Sequence, residues 1–80
     1  MTQPHITPDA AAHVLHHTGH GGYPPSPFHT HLIRALDAAD TANFTALYRA
    51  FPTYGEAMAT YMHDPDGVAR LQQIATGSAS

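Results

Sequence analysis

The chain has no cysteine, no lysine and no tryptophan, and only 11% of its 80 residues are charged. Each absence removes a class of function. Without cysteine there is no disulfide framework, no thiolate zinc site and no redox pair. Without lysine the permanent cations are Arg34, Arg49 and Arg70, set against six acids for a formal net charge of −3. Nucleic-acid binding draws on a dense basic patch that displaces counterions from phosphates, so three scattered arginines argue against it. The acidic excess is equally too small for a mimic of DNA. No apolar run approaches the ~20 residues of a membrane span. The start Met1-Thr-Gln-Pro-His-Ile6 lacks the basic and apolar regions of a secretory signal. The expected setting is the cytoplasm, with neither membrane nor nucleic acid as partner.

Proline stands in informative places. Thr7-Pro8, Ser26-Pro27 and Asp64-Pro65 each join a good helix N-cap to a proline at the first helical position, where its missing N–H costs nothing. Asp40 can cap a helix from Thr41, and Thr53 with Glu56 has the spacing of a capping box. Apolar residues then recur at helical spacing. The stripes are Ala11, Val14 and Leu15 in a weak first helix, roughly Pro8 to Thr18, and Phe28, Leu32, Ala35, Leu36 and Ala39 in the second. Phe44, Leu47, Tyr48 and Phe51 follow, then Tyr54, Met58, Tyr61 and Met62, and finally Val68, Leu71, Ile74 and Ala75 between Pro65 and Ala75. No segment alternates with a strand's period of two. The pattern predicts an all-α fold, a compact bundle of four to five short helices with proline-marked N-termini. Residues 8–76 form the single domain, behind a flexible segment 1–7 and before a frayed tail 77–80. Gly19 to Pro25, with its glycines and prolines, is the one long connection, and Phe51-Pro52 forces a corner.

The string Gly22-Tyr-Pro-Pro-Ser-Pro-Phe28, followed by Leu32, Ala35, Ala39-Asp40, Asn43, Leu47 and Phe51-Pro52, resembles a pattern in small proteins of bacteriophages and integrated mobile elements. There a Pro-Pro-Gly-x-Phe start leads through a helix to Ala-Asp-x-x-Asn and a hydrophobic stretch. The match spans residues 22 to 52, departs at Ser26 where glycine is usual, and leaves out the histidine-rich first helix. The resemblance implies a phage or mobile-element origin, in a bacterial host, and assigns no catalytic residue.

Four of the eight histidines lie between His13 and His20. On a helix from Pro8, His13, His16 and His17 share a side with Asp9, and His20 joins them if the helix continues. A pair such as His13 and His17, at i and i+4, can share zinc, nickel or copper. It lacks a third and fourth ligand of assured position, however, and histidine also serves as an ordinary solvent-facing residue in a chain without lysine. The expectation is therefore no cofactor, with a zinc or nickel module on His13, His16, His17 and His20 as the alternative.

Catalytic groups are sparse. The serines are Ser26, a cap, and Ser78 and Ser80 in the tail; Glu56 is the only glutamate; Asp37 and Asp40 share a helix edge without a basic or aromatic pocket. No enzyme is expected. The leading expectation is protein–protein binding, directed at a host function, with a virion or assembly component as a further alternative. Nine charged side chains serve five helices while many large apolar residues seek cover, so a homo-oligomer is also expected. The candidate contact residues are Phe28, His31, Ile33, Arg34, Met58 and Met62, on the second and fourth helices. Ile33 draws notice because it stands at the rim of its helix's apolar stripe.

Overall fold

In the computed structural model, residues 6–77 are described and form an all-helical bundle. The expectations for residues 1–5 and 78–80 lie outside these residues. The helices are α1 (Pro8–Thr18), α2 (Pro27–Ala38), α3 (Thr41–Ala50), α4 (Pro52–His63) and α5 (Gly67–Ala75).

Three of the expected caps form. Thr7 Oγ1 accepts from the Ala10 N–H at 3.1 Å, Ser26 Oγ from His29 at 3.4 Å, and Asp40 Oδ1 from Asn43 at 2.8 Å. Each satisfies an orphan donor of a first turn. Gly19 ends α1 in the left-handed region at φ 81°, its own N–H reaching His16 O while the His20 N–H reaches Leu15 O. Ile6, placed by the sequence in the flexible segment, is half-buried against the core.

Two starts differ from expectation. The Thr53–Glu56 capping box does not form, because α4 already begins at Pro52 and Thr53 lies inside it. Glu56 instead accepts the Tyr48 hydroxyl at 2.5 Å across the α3–α4 corner. The phenol's attachment to that carboxylate, with some burial, raises the Tyr48 pKa. At the other start, Pro65 and Asp66 make a turn and α5 begins at Gly67. Asp64 caps that turn rather than the helix, accepting from the Asp66 N–H at 2.8 Å and from Arg70 Nη1 at 2.9 Å. Helix α5 can start no closer to α4 with any side chain at position 67, since a Cβ there would lie 2.1 Å from Thr60 O.

Helix α4 touches every other helix, and α1 packs on α5, α4 and α2. Helix α3 leans on α4 and α2 alone. The core joins Val14, Leu15, Ile33, Leu36, Met58 and Leu71, all withdrawn from solvent. This arrangement reverses the apparent rank of two helices. The weakly patterned α1 buries Ala10, Ala11, Ala12, Val14 and Leu15; its alanines let neighbouring helices approach closely. The well-patterned α3 contributes no buried residue.

The second helix is rotated from its expected setting. Leu32, Ile33 and Leu36 face inward, while Ala35 and Phe28 are exposed. Helices α1 and α4 both cover α2, so its buried sector widens to take in Ile33, and Phe28 overhangs the end. Ile33 and Met58, read as contact residues, are both 0% exposed. They belong to the core and are withdrawn as surface candidates.

Candidate functional site

Helix α1, the connection after it, and the first turns of α2 and α4 bring together a group of rings that no single stretch of sequence displays. His13 from α1 places Nδ1 2.7 Å from the Tyr54 hydroxyl of α4. His29, in the first turn of α2, lies over Tyr54 with ring centroids 4.6 Å apart and planes within 14°. Tyr23 meets the His13 ring edge-on at 5.3 Å, and its hydroxyl donates to Asp9. Phe28 continues the group outward, touching His29 at 5.1 Å and Phe51 at 5.6 Å.

The first-turn positions of α2 and α4 explain this geometry. Ser26-Pro27 and Phe51-Pro52 start the two helices, and His29 and Tyr54 sit two residues beyond each proline. The Ser26 hydroxyl lies 3.1 Å from His29 Nδ1. It also accepts the His29 N–H, as a helix cap does, and among the described residues no carboxylate is hydrogen-bonded to His29 as the orienting member of a nucleophile–base pair requires. The contact is read as capping.

For His13 and Tyr54 the surroundings favour the neutral form. Burial lowers the His13 pKa; Asp9 opposes this by attraction, and repulsion from His29 and His16 adds to the lowering. Burial, and then the Asp9 charge, raise the Tyr54 pKa. The bond to Asp9 raises that of Tyr23, with smaller contributions from burial, the Asp9 charge and Tyr54. His13 therefore binds a proton less readily folded than unfolded. Its contribution to stability is full above the ordinary histidine value of 6.5 and declines as the pH falls from there through the lowered folded value. The expected result is that the urea midpoint of the wild type falls between pH 7.5 and 5 by more than that of His13→Gln. Equal falls would remove His13 from this role.

The remaining candidates are dispersed. His31 and Arg34 are exposed on α2, and Met62, 42% exposed, lies about two turns along α4 from Tyr54. The four histidines of the metal alternative separate as well: His13 goes to Tyr54, His17 Nε2 to Asp37 Oδ2 at 3.2 Å, and His20 Nδ1 to Thr18 Oγ1 at 3.0 Å, while His16 is exposed. Among the described residues no group of three or more histidine, aspartate or glutamate side chains is placed to hold a metal ion. The solvated-face reading agrees with His16 and His20, which are exposed, and is corrected for His13 and His17, each of which crosses to another helix.

Tyr23, His29 and Tyr54 escaped the sequence reading as site residues. The available signal was the recurrence of an aromatic or imidazole ring beside each proline-marked corner.

Beside the ring group, an open cleft of about 250 Å³ is lined by His16, His17, Pro24, Pro25, Thr30, Ile33 and Arg34. Among the described residues no helix is long and apolar enough to cross a membrane. No family model matches this chain, and no curated protein or solved structure matches it.

Proposed function

We propose that this is a non-catalytic protein-binding module, of phage or mobile-element origin and acting in a bacterial cytoplasm, whose contact surface centres on Phe28. The observation that carries the reading is the state of that ring. It is 56% exposed, yet is held between His29 and Phe51 in a group whose inner rings are fixed by hydrogen bonds and stacking. A large ring presented in one orientation has little entropy left to lose on binding, and aromatic anchors of this kind carry much of the energy of protein interfaces. Tyr23, 47% exposed on the far side of His13, extends the surface. The resemblance of residues 22 to 52 to small phage proteins supports the setting. The partner is another protein or a second copy of the chain; Phe28 and Tyr23 are the large exposed apolar residues of this surface, with Met62 exposed away from it.

Affinity capture from a bacterial lysate with wild-type, Phe28→Glu and Met62→Glu baits tests this, alongside light scattering of each at about 50 μM, above a typical micromolar Kd. Capture of a protein, or a mass above 8.6 kDa, is expected for the wild type and Met62→Glu and is expected to vanish with Phe28→Glu. Phe28→Glu should keep the wild-type circular dichroism spectrum, because the ring is exposed. Identical captures and masses for all three baits would remove Phe28 from the contact.

A further inference from the structure

Of the three arginines, Arg70 is paired with Asp64. Among the described residues Arg34 has no acid partner, although it stands on a chain with an acidic excess. Its surroundings are unusual for a solvated cation. Arg34 lines the cleft between the end of α1, the Pro24-Pro25 segment and α2, with His16 and His17 on the opposite wall. The nearby carboxylate, Asp37, accepts a hydrogen bond from His17 and does not line the cleft. The Thr30 hydroxyl already donates to Ser26 O, so its oxygen is left as an acceptor. The secured donor facing the cleft is the guanidinium, with five N–H groups in a planar fork. Pro24 and Pro25 form an apolar, rigid wall, while Ile33 lies beneath the floor of the cleft at 0% exposure.

We infer that this cleft binds a carboxylate carried on a short apolar stem. The guanidinium fork matches a carboxylate in bidentate geometry, and the two prolines offer the stem an apolar surface. At about 250 Å³ the cleft falls below the ~300 Å³ at which sites for whole drug-sized ligands begin. It therefore takes a terminal group, supplied by a free small acid or by the last residue of a peptide.

The site shares no residue with the Phe28 surface, so the two readings fail separately. Nuclear magnetic resonance titration of the intact chain with butyrate, with N-acetyl-glycyl-valine and with the C-terminal amide of that dipeptide tests the inference. One or both free acids are expected to move the amide signals of His16, His17, Thr30 and Arg34, in wild type and in Phe28→Glu alike. The amide is expected to bind about tenfold more weakly or less, as loss of a charge-assisted hydrogen bond implies. Arg34→Gln, at an exposed position, should fold normally and lose the same factor, with Arg34→Lys between. Butyrate binding as tightly as the dipeptide identifies a free acid as the source; binding of the dipeptide alone identifies a chain terminus. Equal affinity for acid and amide, undiminished binding by folded Arg34→Gln, no shifts with either acid, or binding of inorganic phosphate in place of both acids would overturn it.

Discussion

Ile33→Glu is expected to leave most of the chain unfolded at neutral pH. Ile33 is 0% exposed, packed in the core with Leu36, Met58 and Leu71. Replacing it forfeits the burial of an isoleucine side chain, worth about 1.5–3 kcal/mol. It also places a carboxylate among apolar groups, and an uncompensated buried charge costs about 3–5 kcal/mol more. A domain of this size has only about 4–12 kcal/mol in total, at roughly 0.05–0.15 kcal/mol per residue. The loss is therefore of the order of the whole stability. Far-UV circular dichroism at pH 7 should show the helical signal of wild type largely gone, while Phe28→Glu and Met62→Glu retain it. An Ile33→Glu chain that unfolds cooperatively at the wild-type urea midpoint would return Ile33 to the surface.

The same residue shows where sequence pattern reaches its limit. The period of apolar residues along α2 finds the helix and most of its inward face. It cannot say how wide that face is, because width depends on how many neighbours cover the helix. Helix α2 is covered by both α1 and α4, so Ile33 is enclosed, and the stripe's first member, Phe28, is left outside. Helix α1 makes the point in reverse. Alanine contributes little to an apolar count, yet Ala10, Ala11 and Ala12 are among its most buried residues, since close approach of other helices needs small side chains. Local signals fared better. Thr7, Ser26 and Asp40 cap as their spacing indicates, because a cap is settled within four residues. Thr53 fails because α4 begins one residue earlier, at Pro52. Asp64 fails for a reason beyond that range: α4 and α5 must pass at the distance set by Gly67 and Thr60, which leaves room for a turn there and not for another helical residue.

The candidate site was legible only in fragments. Phe28 stands out as a large ring at a helix start, and the histidine cluster as a concentration of imidazole. Neither observation pairs His13 with a tyrosine 41 positions away, or sets His29 on the same ring. Those meetings follow from the two proline corners lying side by side. Spacing along one helix grouped His13 with His16 and His17, but the bundle turns the first toward α4 and holds the last against α2.

The connection from Gly19 to Ser26 carries Tyr23, Pro24 and Pro25 to both the ring group and the cleft, and a single hydrogen atom at Gly22 secures its path. Gly22 adopts φ +70°, and a Cβ there would lie 2.0 Å from Ala12 O and 2.9 Å from Ala12 C, both backbone atoms of α1. Neither atom can move without disturbing the most buried helix. Gly21 is a built-in control, since it too has a positive φ, +107°, but a Cβ there would meet nothing within 4 Å. Gly21→Ala is expected to cost about 1–2 kcal/mol, the penalty of a side chain in a left-handed conformation. Gly22→Ala adds to this an overpacking penalty of about 1–3 kcal/mol, for a total of about 2–5 kcal/mol. The relief available to the mutant is to lift the connection off α1, which would withdraw Tyr23 from Asp9 and His13 and take Pro24 and Pro25 away from Arg34. Gly22→Ala should therefore show a lower urea midpoint than Gly21→Ala, together with loss of the tyrosine–histidine ring-current shifts in its proton spectrum. It should also weaken binding at both surfaces, where Gly21→Ala weakens neither. Equal stability of the two alanine variants would mean that the close contact between Gly22 and Ala12 does not hold the connection down.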